Sequence, residues 1–239
     1  MKALKAGKHV HVEKPLCLNT EQLGEIEAVY QSAAGSPALM VGFNRRFAPL
    51  ARLMKDRLPA GPLAMLYRIS AGPIPAESWI QNVEIGGGRL VGEACHFVDF
   101  LAFLCGSLPV RVCAQAVPDP ATLHDTAQLA VEFENGSIGT VCYQASGSKD
   151  VEKEYVEASG GGATAILHDF KSLVVHGGGK PFKTRLASQD KGQHVMVREF
   201  LDAIREGKPC PVPVADIVAV TKTMFGALDS IRTRQVTSL

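Results

Sequence analysis

The sequence predicts an α/β protein in two parts: a short segment from the end of a parallel, doubly wound sheet, and an α+β domain with a large, mostly antiparallel open sheet. Three observations predict this fold class. Helical and strand patterns alternate over residues 1–45, strand patterns follow one another closely from residue 110, and two amphipathic helices close the chain. The second part therefore spans residues 46–239.

The first 45 residues show a helix–strand–helix–strand order. Gly7 is placed to end the first helix, and Asn19 or Thr20 can cap the second. The last strand is a nearly continuous apolar run, which is typical of a buried parallel strand. Since a complete doubly wound domain has several more strands, we expect the chain to be a fragment of a longer protein. The predicted elements are a helix end at 2–6, a strand at 9–12, a helix with apolar positions Leu23, Ile26, Val29 and Tyr30, and a strand at 38–43.

The second part begins with a helix that Pro59-Ala60-Gly61-Pro62 ends, and it continues mainly as strands. Asn135-Gly136 predicts a hairpin with a type I′ turn, and the glycines at 160–162 predict a second hairpin. The predicted elements are helices at 48–58 and from the glycine run at 86–88 to 105, with strands at 63–71, 110–117, 127–133, 137–144, 153–158, 163–168 and 173–176.

Two helices with apolar stripes close the chain. Gly207 ends the first of them, and the second is placed so that it can pack back on the first part of the chain, residues 1–45. The predicted buried stripes are Val197, Phe200, Leu201 and Ile204, and then Ile217, Val220, Met224, Leu228 and Ile231.

Composition excludes several classes of partner. The chain is 46% hydrophobic and 21% charged, with a formal net charge of +1, which gives no electrostatic case for nucleic acid or an anionic membrane. No apolar run approaches the roughly 18 residues of a membrane span, and the first residues lack the apolar core of a signal peptide. The six cysteines are scattered, without a Cys-x-x-Cys pair, as expected for free thiols in a reducing cytosol. We therefore expect a cytoplasmic protein that binds neither nucleic acid nor a membrane.

A lysine follows the first predicted strand in the run Val12-Glu13-Lys14-Pro15. Ligands of parallel sheets bind beyond the carboxyl ends of the strands, so Lys14 is placed to face such a crevice. A lysine there can exchange a proton with a hydroxyl or carbonyl group, or hold the substrate oxygen. The alternative is a surface lysine without a function.

A histidine lies on the helix that opens at the glycine run 86–88. His96 is suited to proton transfer near neutral pH, and the alternative is a core or capping histidine. Glu93, Cys95 and His96 do not make a zinc pattern, because adjacent helical residues point to different faces, so no metal site is predicted.

Four segments together resemble the glucose-fructose oxidoreductase/inositol dehydrogenase (Gfo/Idh/MocA) family over essentially the whole chain. They are the run 6–16 with Glu13-Lys14-Pro15, the crossover Val41-Gly42-Phe43-Asn44-Arg45-Arg46-Phe47, the helix with the triple glycine, His96 and Asp99, and the run 199–207. The run 79–97 is similar to a subset of the family in which this module follows an alcohol-dehydrogenase-like module in one polypeptide.

The resemblance implies an N-terminal Rossmann domain that binds NAD or NADP and a C-terminal domain whose sheet supports the substrate and an oligomer interface. Residues 1–45 then correspond to the C-terminal part of the Rossmann domain. No Gly-x-Gly-x-x-Gly loop is present, so we expect this chain alone to bind NAD(P) weakly or not at all.

The resemblance also implies the site residues. The catalytic candidates are Lys14 and His96, with Glu93 as a possible partner, because Gly92 stands where family members usually carry an aspartate. The cofactor candidates are Glu13, Lys14, Pro15, Asn44 and Trp79, and the substrate candidates are Arg46, Trp79 and His96. The alternatives are a packing role for Trp79 and a salt bridge for Arg46.

The leading hypothesis is an NAD(P)-dependent oxidoreductase module that acts on a hydroxyl- or carbonyl-bearing carbon of a sugar- or cyclitol-like substrate, and that forms a homodimer or larger oligomer. The alternative is a non-catalytic binding or assembly module that dimerises, or holds a partner domain, through its sheet. The absence of the family aspartate and of the nucleotide fingerprint favours this alternative.

Overall fold

A computed structural model describes residues 1–82, 84–118 and 123–239. Val83 within the run 79–97 lies outside the described residues. Every helix in the described part of the chain is too short or too polar to cross a membrane. The elements are α1 (Lys2–Lys5), β1 (Val10–Val12), α2 (Thr20–Ser32), β2 (Leu39–Val41), α3 (Pro49–Arg57), β3 (Ala64–Ser70), α4 (Gly88–Cys105), β4 (Pro109–Ala116), β5 (Ala127–Phe133), β6 (Ile138–Gln144), β7 (Glu154–Gly160), β8 (Ala163–His168), β9 (Ser172–His176), β10 (Phe182–Arg185), α5 (Gln193–Glu206), α6 (Val214–Thr233) and β11 (Thr237–Ser238), with 3-10 turns at Asn44–Phe47 and Trp79–Gln81.

The N-terminal residues form one β-α-β unit. Strands β1 and β2 pair in parallel, with Val10 opposite Leu39, and α2 connects them. The helix begins at a side-chain cap, since Asn19 Oδ1 accepts a hydrogen bond of 2.9 Å from the Gln22 amide. Strand β2 is fully buried, as the apolar run predicts.

The second part is built on a nine-stranded sheet in the order β10-β9-β8-β7-β3-β6-β5-β4-β11. Only the β3–β6 pair is parallel, which confirms the prediction of a large, mostly antiparallel sheet. Helices α3, α4 and α6 pack on one face. Helix α4 is buried along almost its whole length, so its side chains meet the sheet on one side and the 3-10 turn Asn44–Phe47 on another.

Two turn predictions have different outcomes. The hairpin at Asn135-Gly136 forms, but only Gly136 has a positive φ (81°), so the predicted type I′ turn is wrong there. Asn135 is held instead by tertiary contacts, since its Nδ2 donates to the Cys105 carbonyl at 3.0 Å. Both Gly161 and Gly162 have positive φ, and they form the two-residue turn between β7 and β8.

The predicted stripe of α5 is only partly buried. Val197 and Leu201 are 44% and 43% exposed, whereas Met196 and Phe200 are buried together with Ala203. The helix is oriented by Phe200, whose ring packs 5.7 Å from that of His11. The prediction was wrong for two positions because periodicity alone does not distinguish adjacent apolar faces of one helix.

The last helix, α6, packs against the N-terminal unit as well as the sheet. It contacts α2, β2 and β4, and Lys222 Nζ lies 3.8 Å from a carboxylate oxygen of Glu27. Strands β10 and β11 were not predicted, because each is short and polar.

Candidate active site

Lys14 and His96 come together although 82 positions separate them in sequence. Lys14 follows β1 and begins a cis peptide bond to Pro15, and His96 lies in the middle of α4. The charge of Lys14 lowers the pKa of both Cys95 and His96, so the ammonium lies within electrostatic range of this turn of α4. That these two residues share a site stays a prediction.

His96 is a buried polar side chain next to an aromatic ring. Its side chain is 7% exposed, its ring lies 6.1 Å from that of Phe43, and its Nδ1 has no hydrogen-bond partner among the described residues. Burial lowers the pKa of His96 well below 6.5, and the positive charges of Arg45 and Lys14 lower it further. The imidazole is therefore neutral at pH 7, with one nitrogen able to donate and the other to accept.

A buried ion cluster lies next to His96. The Glu154 side chain is 0% exposed, and Arg45 binds both its oxygens, at 2.7 and 2.9 Å. Lys191 Nζ and the Tyr67 hydroxyl each donate to the same carboxylate at 2.5 Å. Although burial raises it, Arg45 and Lys191 together hold the pKa of Glu154 below 4.5. The cluster connects the 3-10 turn Asn44–Phe47 and the segment before α5 to the sheet.

The amide of Asn44, a predicted cofactor ligand, is already used within the protein. It is 6% exposed, its Nδ2 donates to the Lys191 carbonyl at 2.7 Å, and its Oδ1 accepts from Arg45. This arrangement leaves no exposed donor on Asn44. The residue therefore acts as an anchor of the segment that carries Lys191.

Arg46, a predicted substrate ligand, forms the alternative internal salt bridge. Its guanidinium binds both oxygens of Asp99, at 2.5 and 3.1 Å, and also Asp216 at 3.2 Å. The residue is 6% exposed. Although Arg46 opposes it, burial raises the pKa of Asp99 to about 6. This bridge joins the crossover turn to α4 and α6, so we give Arg46 no substrate role.

Glu93 bonds to the sheet. Its carboxylate accepts a hydrogen bond from the Tyr143 hydroxyl on β6, and Arg89 Nη2 lies 3.6 Å away. No hydrogen bond joins Glu93 to His96 within the described residues. At the neighbouring Gly92, an added Cβ would lie 3.0 Å from the Gly86 carbonyl oxygen, so a side chain there meets backbone.

Trp79, the single tryptophan, is 63% exposed and opens the 3-10 turn before α4. This exposure is not that of a core residue, and a role for Trp79 as a pocket wall stays a prediction. Glu13 is also exposed, and its carboxylate lies over Gly42, where a Cβ would meet Oε2 at 3.2 Å.

The site fits the reacting end of a nicotinamide cofactor. His96 offers a buried Nδ1 without a partner among the described residues, and the half-buried Lys14, which follows β1, interacts with it electrostatically. The pyrophosphate end of such a cofactor fits less well, because no glycine-rich strand-to-helix loop occurs in the sequence. Across residues 1–82, 84–118 and 123–239, no three His, Cys, Asp or Glu side chains are grouped so that they could hold a metal ion.

Sequence reasoning missed Glu154 and Tyr143. Each has the strand parity of buried apolar neighbours: Glu154 lies on the face of Val156, and Tyr143 on the face of Val141. A carboxylate on the inward face of a strand is the signal that predicts a buried ion pair. The partners Arg45 and Lys191 carry no such signal, because both lie outside regular strands and helices.

Comparison with known proteins finds similar sequences. The sequence model of the GFO/IDH/MocA C-terminal domain matches residues 62–164. Inositol 2-dehydrogenase of Rhizobium meliloti is 27% identical over 188 residues, covering 78% of this chain and 55% of that protein. The chain spans 41% to 55% of the length of this and two other curated relatives.

Solved structures share the fold at low sequence identity. An oxidoreductase domain protein from Kribbella flavida superposes with a TM-score of 0.86 at 21% identity, covering 99% of this chain and 75% of that one. An aldose-aldose oxidoreductase from Caulobacter crescentus gives a TM-score of 0.82 at 20% identity, covering 100% of this chain and 74% of that one. These likenesses establish the fold alone. The domain match and the dehydrogenase relatives support the resemblance of the chain to the GFO/IDH/MocA family of oxidoreductases.

Proposed function

We propose that the chain is the substrate-binding part of an NAD(P)-dependent oxidoreductase that acts on a hydroxyl- or carbonyl-bearing carbon of a sugar- or cyclitol-like molecule. The observation that carries the proposal is the proximity of Lys14 to the unpartnered, neutral His96. The names of relatives such as inositol 2-dehydrogenase and levoglucosan dehydrogenase support the substrate class.

Lys14 binds the oxygen of the reacting carbon. Its ammonium donates a hydrogen bond to a carbonyl oxygen, and in the reverse direction the amine accepts the hydroxyl proton. A bound nicotinamide supplies or accepts the hydride. Glu13, Pro15 and Trp79 are the chain's candidates for contact with that ring, from positions next to Lys14 and before α4.

His96 orients the same oxygen and excludes water. Because burial and the nearby cations keep its pKa low, it acts as a neutral hydrogen-bonding group at pH 7. Glu93 shapes the site from the neighbouring turn through its bond with Tyr143. The Glu154 cluster keeps Arg45 and Lys191 close to His96 without leaving an unpaired buried charge.

The proposal is tested in the complete polypeptide that contains this chain. We expect reduction of NAD⁺ or NADP⁺ with at least one member of a panel of aldoses and inositols, and a loss of turnover of about a hundredfold or more in Lys14→Met, as general acid–base groups contribute roughly 10²–10⁴-fold. Lys8→Met, an exposed lysine in the same segment, is the control. Equal activity of the two variants contradicts the proposal.

Binding of the cofactor by the chain alone is a separate measurement. We expect calorimetric titration with NADH and NADPH to show weak binding or none, because no glycine-rich phosphate loop is present. A dissociation constant in the low micromolar range contradicts this expectation.

A non-catalytic assembly module is the second candidate. It is favoured by Gly92 at the position of the usual aspartate, and by the engagement of Glu93 with Tyr143. The outer face of the sheet, with half-exposed Leu66, Thr140 and Ile166, is the surface through which such a module dimerises. Light scattering of the chain tests the dimer. A monomer at micromolar concentration contradicts it.

A further inference from the structure

A second concave site lies at the first turn of α4. It is a cleft of about 290 Å³, close to the lower size limit of ligand pockets of roughly 300 Å³. Neither Lys14 nor His96 lines it, so it is distinct from the site described above. The described residues that line it with polar groups are Gln81, Arg89, Asp125, Thr126 and Ser146.

Arg89 forms a buried polar wall of this cleft. Its side chain is 4% exposed, and its Nη1 donates to the Gly72 carbonyl at 2.6 Å. Its guanidinium lies 5.3 Å from the centre of the Tyr143 ring. The Nε atom is buried and has no hydrogen-bond partner among the described residues. An unused donor at a buried position costs free energy, which a ligand or an ordered water recovers.

The charges of the cleft indicate an uncharged ligand. Arg89 is the one cation in the described lining, and Asp125 in the same lining carries the opposite charge. Asp125 Oδ1 also accepts a hydrogen bond of 2.9 Å from the Arg89 amide. A phosphate or carboxylate would meet this carboxylate as well as the arginine, whose guanidinium already lies 3.6 Å from Glu93, whereas a neutral ligand adds no charge to the cleft.

The remaining lining groups suit hydroxyl groups. Thr126 and Ser146 present hydroxyls 3.2 Å apart, and Gln81 supplies an amide. Gln81 lies in the same short turn as the exposed Trp79. Closely spaced donors and acceptors of both kinds match the vicinal hydroxyls of a sugar ring.

The cleft is aligned with the first site along α4. Arg89 and His96 are seven residues apart, which is two turns, so they share one helix face at a separation of about 10 Å along the axis. This distance exceeds the width of a single sugar ring. A molecule that reacts at His96 can therefore reach the cleft with a second ring.

We propose that this cleft binds a second, uncharged glycosyl unit of the substrate, with Arg89 and Ser146 as its specificity-determining residues. The inference rests on the proposed function, since it names a glycoside or oligosaccharide as the substrate of the same site. A monosaccharide leaves the cleft empty, and a sugar phosphate is disfavoured by Asp125.

Fluorescence of Trp79 reports on the cleft without any turnover, because it is the single tryptophan and shares a turn with Gln81. The probes are maltose, cellobiose and sucrose, compared with glucose and glucose 6-phosphate. We expect at least one disaccharide to bind at least tenfold more tightly than both. Ser146→Phe, which fills the cleft from an exposed position, lowers that affinity at least tenfold, and Ser188→Phe at an exposed site outside the cleft leaves it unchanged.

Arg89→Lys provides a second variant, with circular dichroism as the check on folding. Lys14→Met keeps the preference for the disaccharide over glucose within twofold, because the second ring binds in the cleft, and this separates the cleft from the reaction. If the wild-type protein binds a disaccharide in the cleft but shows no turnover, the proposed function is contradicted and the cleft proposal is not. Failure of every disaccharide to bind more tightly than glucose, or equal binding to Ser146→Phe, overturns the cleft proposal.

Discussion

The Tyr143 hydroxyl donates a hydrogen bond to the carboxylate of Glu93, and this bond joins helix α4 to strand β6 one position after Gly92. Glu93, the acidic residue next to Gly92, is therefore a partner of the sheet. Burial, together with the nearby carboxylate, raises the pKa of the Tyr143 hydroxyl, so it is a hydrogen-bond donor at neutral pH.

Removal of this donor destabilises the protein. We expect Tyr143→Phe to lower the free energy of unfolding by about 1–3 kcal/mol, because the Glu93 carboxylate loses a hydrogen bond in a partly buried place. Urea unfolding followed by circular dichroism measures the change. Tyr155→Phe is the control, since that hydroxyl bonds to Glu157 on the more exposed face of the sheet. A loss no larger than in the control would show that the Tyr143 bond contributes little.

Gly92 has less free space around it than an ordinary helical glycine. Replacement of a helical glycine by alanine normally stabilises by about 1 kcal/mol. At Gly92 the added Cβ lies 3.0 Å from the Gly86 carbonyl, and Gly86 is itself confined by the backbone of Ile80. We expect Gly92→Ala to give no gain or a loss in the free energy of unfolding.

The control for Gly92 lies in α2. Gly24 has no atom within 4 Å of an added Cβ, so Gly24→Ala should stabilise by about 1 kcal/mol. Thermal unfolding of both variants tests the difference. An equal gain at the two positions contradicts the close approach at Gly92.

The Glu154 cluster links stability to acid pH. The folded-state pKa of Glu154 lies below its usual 4.5, so the unfolded chain binds the proton first as the pH falls. Its contribution is present above pH 4.5 and is lost as the pH is lowered through the folded-state value. We expect Glu154→Gln to destabilise by about 3–5 kcal/mol, because it leaves Arg45 and Lys191 as uncompensated buried charges.

The same variant should respond less to acid. The free energy of unfolding of Glu154→Gln is expected to change less than that of wild type between pH 7 and about pH 3. Urea titrations at a series of pH values give both numbers. Parallel curves for the two proteins would exclude Glu154 as a source of the acid dependence.

His96 should remain neutral where most histidines gain a proton. Because burial, Arg45 and Lys14 all lower its pKa, we expect its Cε1 proton resonance to stay constant as the pH is lowered from 8 through 6.5. The unfolded state binds that proton, so the free energy of unfolding falls as the pH drops through 6.5. His96→Asn assigns the resonance. In Lys14→Met the pKa of His96 should rise, since one cation is removed, and an unchanged titration would place Lys14 too far away to act on it.

Local patterns account for most of the elements found in the structure. The caps, the 3.6-residue stripes and the period-two strands predicted α2, α4, α6 and the strands from β3 to β9 to within a few residues. The two corrections, at Asn135 and at Val197 with Leu201, concern contacts with residues distant in sequence. Such contacts decide turn type and helix rotation, which no local pattern specifies.

The sequence by itself determined the order of elements, the antiparallel character of the second part, and the pairing of a strand-end lysine with a helical histidine as candidates for one site. The tertiary structure alone decided what each polar side chain contacts. It placed Arg46 between Asp99 and Asp216, Glu93 against Tyr143, and Arg45 on Glu154. The physical reason is that burial of a charge requires a partner, and partners separated by dozens of residues are chosen by the packing of the sheet against α4.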